Sequence, residues 1–279
     1  MAIEEFHYRL RWRARTSRAG FHPGTQRGLG SEYRGLAPLT ATGDPRRIDL
    51  RATTRDPFGQ LLVRLYTQPS SVPVYALADL SASMGFRGAA RKLDVLADFV
   101  AALGLSAFRT GDPAAFISCD ERIRAEYTRP LAWNRGTGLE LAALLRELEP
   151  DGAACTALLR AAEQLPATRA LVFVISDFYL EPELIDALLR RLARHELVPI
   201  VVRDSAELEL PAFGLARLRD AEHREQRMYF VRESLRVRLR ERARAHDAFL
   251  TRSFERAGAR AVTLTDRFDA ARVTRHFYG

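Results

Sequence analysis

Two hydrophobic periods divide this chain. From residue 72 onward, short apolar runs alternate with longer stretches whose apolar positions recur every three or four residues. The runs VPVYALAD (72–79), RALVFVISD (169–177) and LVPIVVRD (197–204) predict buried strands. AARKLDVLADFVAALGLSAFR (89–109) predicts a helix, with Leu93, Leu96, Phe99, Val100 and Leu103 on one face. AAFISCD (114–120) and RIRAEYT (122–128) read as two strands joined by a tight turn. GLELAALLREL (138–148), CTALLRAAEQL (155–165) and EPELIDALLRRLARH (181–195) read as helices. ARLRDAEHREQRMYFV (216–231) reads as a hairpin. A very basic helix over 232–256, a strand ARAVTLT (259–265) and a helix from about residue 267 complete the pattern. Before residue 72 the period is different. YRLRWRAR (8–15) alternates strictly, with Tyr8, Leu10, Trp12 and Ala14 opposite four arginines, and predicts a half-buried strand. GFHPGTQRGLGSEYRGL (20–36) reads as a Gly-rich loop. A turn at Gly43-Asp44-Pro45 and a strand over 61–66 follow.

Strands alternating with helices imply an α/β fold, a mostly parallel sheet with helices on both faces. The expected division is a β-rich, Arg/Gly-rich extension over 1–71 and an α/β domain over 72–279. The 279 residues suffice for a large core, and 47% of them are hydrophobic. No apolar run approaches the roughly 20 residues that span a bilayer. The first residues carry acids and then alternating arginines, with no apolar segment of a secretory leader, so the expected location is the cytoplasm. Cys119 and Cys155 match no metal spacing and read as free thiols. The formal charge is +8, which raises nucleic acid as a partner. However, the basic residues are arginine with the sole exception of Lys92, a skew that reads as coding bias. Beyond the short alternation over 8–15 no polybasic run interleaves with aromatics, and no zinc-finger or RNA-binding signature is present, so no nucleic-acid role is expected. The basic helix over 232–256 reads either as a solvated face or as a dock for an acidic partner. Gly28-Leu29-Gly30 lacks a third glycine and a following helix, so it reads as plain loop rather than phosphate cradle.

The chemistry concentrates at ADLSASMG (78–85). Asp79, Ser81 and Ser83 stand at alternate positions where a buried strand ends. Taken alone, such a run would serve to cap a helix. A second strand ends at Asp177, and Thr156 opens a helix between them. In an open α/β sheet the carboxyl ends of strands line the ligand crevice. Asp79, Ser81, Ser83, Thr156 and Asp177 therefore form a candidate set of hard oxygen donors, suited to Mg²⁺ and also to Mn²⁺ or Ca²⁺. The rival reading is a serine hydrolase. SASMG is one residue short of the nucleophile elbow, with Ser83 as nucleophile, Asp177 as acid and His223 or His246 as base. No oxyanion segment of the usual kind accompanies it, and Asp79 would lie unexplained beside the nucleophile. Asp44 and Asp49 read first as turn caps pairing with Arg46, Arg47 or Arg51. With Arg47 they are also candidates for partner contact.

D-x-S-x-S at a strand end, a distant Thr and an Asp after a later apolar strand resemble the metal-ion-dependent adhesion site of von Willebrand factor A domains. The segment from Gly28 to Tyr66 resembles the one preceding that domain in the bacterial "domain of unknown function 58" family, through Gly28, Gly30, Glu32, Tyr33, Gly43, Asp44, Arg46 or Arg47, Ile48 and Asp49. Leu39 and Leu50 depart from the aromatic residues usual there, and Cys155 stands where the family has glycine. VISDF (174–178) matches closely. The resemblance implies a metal held by Ser81, Ser83 and Thr156, with Asp79 and Asp177 acting largely through water. It also implies a non-enzymatic interaction module, partnered with a MoxR-type AAA+ ATPase and a client that offers an acidic residue to the metal. In some such systems the client is a quinoprotein methanol dehydrogenase.

Overall fold

A computed structural model describes residues 4–10, 12, 19–22, 27–41, 44–67, 70–152, 154–208, 214–219, 226–231 and 233–279. The chain divides into two compact units, residues 9–72 and residues 1–8 with 73–279.

In the smaller unit, β1 (Ala19–His22) and β2 (Arg27–Pro38) precede a short helix, α1 (Leu50–Thr53), and β3 (Leu62–Thr67). β2 pairs antiparallel with β3, with register shifts between Arg27 and Glu32 and between Tyr33 and Gly35. The segment expected as a Gly-rich loop is thus largely strand. Glycine can serve there because Gly35 sits at φ 154°, where a side chain is strained. Gly43 lies outside the described residues; the rest of the turn expected at Gly43-Asp44-Pro45 is a 3-10 turn, Pro45–Arg47, capped by Asp44.

The larger unit contains β4 (Val74–Asp79), α2 (Lys92–Arg109), β5 (Ala114–Cys119), β6 (Arg129–Ala132), α3 (Thr137–Glu147), α4 (Leu158–Glu163), β7 (Leu171–Ser176), α5 (Pro182–Leu192) and β8 (Glu196–Arg203). It continues with the β9 (Gly214–Arg219) and β10 (Gln226–Val231) hairpin, then α6 (Glu233–Arg256), β11 (Val262–Thr265) and α7 (Ala270–Tyr278). The sheet order is β11-β8-β7-β4-β5-β6, parallel except for β6. Every residue of β4, β5 and β7 is buried, the pattern of strands covered on both faces. The predicted α/β class holds.

Two expected strands change. RIRAEYT is a single bridge at Ile123 and a 3-10 turn over Ala125–Tyr127; the edge strand starts at Arg129. Its hydroxyl-bearing Thr128 folds back onto the carbonyl of Arg124 at 2.9 Å, which favours a turn over a ladder. The strand expected over 8–15 has no ladder at its described residues 8–10 and 12. Tyr8 instead enters the core of the larger unit, where its hydroxyl donates to Asp112 at 2.6 Å. Phe6 packs beside it, 5.6 Å from the Phe99 ring and 6.0 Å from that of Phe173.

α2 buries its predicted apolar face, Leu93, Leu96, Phe99, Val100 and Leu103. α2 crosses α3 where Gly104 and Gly138 meet; a Cβ on Gly138 would lie 2.8 Å from the carbonyl oxygen of Val100. No helix among the described residues is long and apolar enough to cross a membrane.

Candidate functional site

The chain leaves β4 toward β5 on one side of the sheet and later places β7 on the other, so β4 and β7 flank a topological switch point. Asp79 ends β4 and Asp177 follows β7. Both are buried. One Asp79 oxygen accepts the Ser81 backbone N–H at 2.8 Å, and the other accepts the Ser176 hydroxyl at 2.6 Å. Ser81 and Ser83 sit on the 3-10 turn after β4, their hydroxyl oxygens 3.2 Å apart. Burial and the charge of Asp177 push the Asp79 carboxyl up to about 6. Ser176 also accepts the Phe178 N–H at 2.8 Å, and Phe178 adopts φ 56°, an uncommon conformation for an aromatic residue. This kink turns the chain away just after Asp177.

Thr156 lies in the turn preceding α4 and is exposed. Its loop is well anchored. Gly152 accepts the Ala82 N–H at 2.8 Å, the Cys155 thiol donates to the Cys119 carbonyl at 3.1 Å, and Ala157 N–H donates to that of Asp120 at 3.0 Å. Burial above all, then the Cys119 contact and the charge of Asp79, raises the Cys155 thiol well above its ordinary value. Among the described residues no hydrogen bond joins the Thr156 hydroxyl to Asp79, Ser81, Ser83 or Asp177. The two cysteines, distant in sequence, have sulfurs 3.4 Å apart and are both buried and free.

The residue missed from sequence is Lys92. Its side chain is 1% exposed, and its ammonium lies 2.8 Å from an Asp177 oxygen and also pairs with Glu207. Burial opposes the charge, but the two carboxylates hold the amine above its ordinary range. The loop ahead of it is fixed by Asp204, which accepts backbone N–H groups of Gly88, Ala89 and Ala90 at 3.0–3.1 Å. The available signal was composition: one lysine in a chain that otherwise uses only arginine. Arg203 donates to the Asp177 carbonyl and pairs with Asp247 at 2.9 Å.

The hydrolase arrangement does not form among the described residues. His246 contacts the Phe178 carbonyl at 3.0 Å and stacks on Tyr179, while the Ser83 hydroxyl pairs with Ser81. His246 is half-buried, and its burial lowers its pKa. His223 lies outside the described residues.

In the smaller unit, Asp44 caps a 3-10 turn by accepting the Arg46 N–H at 3.1 Å and pairs with Arg47 at 3.3 Å. Asp49 caps α1 through the Ala52 N–H at 3.0 Å, and its ion-pair partner is Arg64 at 2.8 Å. Arg47 also lies 5.2 Å over the Tyr66 ring.

The donor set at the switch point contains hydroxyl and carboxylate oxygen, the chemistry of a hard divalent ion. Both acids of that set are buried, with hydroxyls beside Asp79 and the Lys92 ammonium on Asp177; the Asp79 and serine part of the set has the donor chemistry such an ion takes.

Among known proteins, the chain is 29% identical over 264 residues to an uncharacterized protein of Mycobacterium bovis, Mb1516, covering 92% of this chain and 81% of that one. It is similar in structure to the conserved hypothetical protein BatB from Bacteroides thetaiotaomicron, at 12% identity and TM-score 0.45 over 75% of this chain and 98% of that one. It is also similar to a von Willebrand factor type A structure from Catenulispora acidiphila, at 12% identity and TM-score 0.40 over 76% and 42% of the two chains. The chain matches over residues 40–249 the family described as "Protein of unknown function DUF58", and it belongs to that family.

Proposed function

We propose that the chain is a non-enzymatic, divalent-cation-dependent protein-interaction module of the von Willebrand A type. Ser81, Ser83, Thr156, Asp79 and Asp177 would hold Mg²⁺, or Mn²⁺ or Ca²⁺. When bound, the ion supplies an electrophilic centre that accepts a carboxylate from a partner protein. The chain's own residues do the positioning. Asp79 fixes the serine turn through the Ser81 N–H, and Ser176 fixes Asp79. The reading extends to an adaptor role beside a MoxR-type AAA+ ATPase in maturing a client, at its narrowest a quinoprotein methanol dehydrogenase. Asp44, Arg47 and Asp49 of the smaller unit are proposed partner contacts. One observation carries the proposal: a buried carboxylate at the switch point with two serine hydroxyls 3.2 Å apart on the following turn.

The test is a melting-temperature titration with Mg²⁺, Mn²⁺, Ca²⁺ and EDTA on the wild type and Asp79→Ala. An ion that binds only the folded chain adds about 2.7 kcal/mol at one hundred times its dissociation constant. A metal-dependent rise that the variant loses is the expected outcome. An equal rise in both chains would refute the site.

A further inference from the structure

The crevice already contains a cation. The Lys92 ammonium, on the first residue of α2, lies on Asp177 Oδ2 at 2.8 Å, while Asp177 Oδ1 accepts the Tyr179 N–H at 3.2 Å. Oδ2 is therefore the Asp177 oxygen not committed to the backbone. Any divalent ion that draws on this carboxylate competes with the ammonium for it and is repelled by its charge. Lys92 has a second anchor. Glu207, on the 3-10 turn Ser205–Leu208, pairs with the same ammonium, and the rings of Phe86 and Tyr179 lie 5.9 and 5.6 Å from it. An ammonium released by Asp177 thus keeps a partner within reach. Arginine meets every other cationic need of the chain. A compact ammonium on a flexible stem suits exchange between two carboxylates better than a planar guanidinium does.

We propose that Lys92 is a tethered competitor of the divalent ion, holding Asp177 until the ion arrives and then resting on Glu207. It thereby sets how weakly the chain binds metal when no partner is present. This inference rests on the cation reading of the crevice.

The experiment is calorimetric titration of Mn²⁺ into the full chain, comparing the wild type, Lys92→Met and Arg203→Gln. Arg203→Gln removes an equal charge nearby, but Arg203 donates to the Asp177 backbone carbonyl rather than to its carboxylate. Lys92→Met is expected to bind Mn²⁺ about tenfold more tightly or better, with Arg203→Gln within about threefold of wild type. Binding seen only after removal of Lys92 also upholds the inference. If Lys92→Met does not fold, the double variant Lys92→Met/Glu207→Gln, which removes one acid with the cation, takes its place. Wild-type binding that loss of Lys92 leaves unchanged or weakens overturns this inference alone, as does an equal gain in Arg203→Gln. No binding by any of these chains overturns the inference and the metal site together.

Discussion

Ser176 shows how much a single hydroxyl can organise. It donates to Asp79 at 2.6 Å and accepts from the Phe178 amide at 2.8 Å, all within a buried setting. Ser176→Ala removes both partners and leaves a buried carboxylate oxygen and a buried amide unpaired. The expected cost is about 1–3 kcal/mol, read as a lower urea midpoint with an unchanged slope. A retained midpoint would show that the network does not hold the acid. Asp79 itself was legible in sequence, because a strand-end acid followed by alternating serines is a local pattern. Ser176 and Lys92 were not. Their roles depend on partners 97 and 85 residues away, and no spacing rule reports such a pairing.

At the scale of elements, the junction of α5 with the sheet rests on a neutral histidine. His195 caps the turn after α5 by donating its N–H to the Leu192 carbonyl at 2.9 Å, and its ring Nδ1 accepts the Ala170 N–H at 3.2 Å, just before β7. Burial, reinforced by Arg194, Arg191 and Arg169, lowers its pKa to about 4. The unfolded chain, with an ordinary value near 6.5, binds the proton first, so stability falls as pH drops from about 6.5 to about 4. The contribution is fully present above the unfolded value and amounts to at most about 3 kcal/mol. His195→Gln should flatten the stability profile over that window in denaturant unfolding; an unchanged slope would refute the assignment. The parallel strands and long helices were legible because their apolar runs leave one solution. β3 of the smaller unit was legible too, expected over 61–66 and found at Leu62–Thr67; the edge strand after β5 and the Gly-rich β2 were harder, since Gly-rich and half-exposed segments satisfy no single period.

Across the whole molecule, the order of the chain is not the order of the units. Residues 1–8 belong with 73–279, so residues 9–72 interrupt the larger unit in sequence. Phe6 is 1% exposed among Phe99, Phe173 and Phe268. Phe6→Ala should therefore destabilise the larger unit by about 3–5 kcal/mol, although it lies far in sequence from the rest of that unit. A melting temperature equal to wild type would refute this packing. A strictly alternating segment from residue 8 pointed to a strand; its described residues 8–10 and 12 form none, and Tyr8 lies beside Phe6 in the larger unit. The skewed basic composition has a consequence of the same reach. Apart from the amino terminus, the chain presents a single primary amine to acylating reagents, and that amine is locked in an ion pair. Its acylation rate is thus a direct clock for opening of the crevice, with every arginine on the surface silent to the probe.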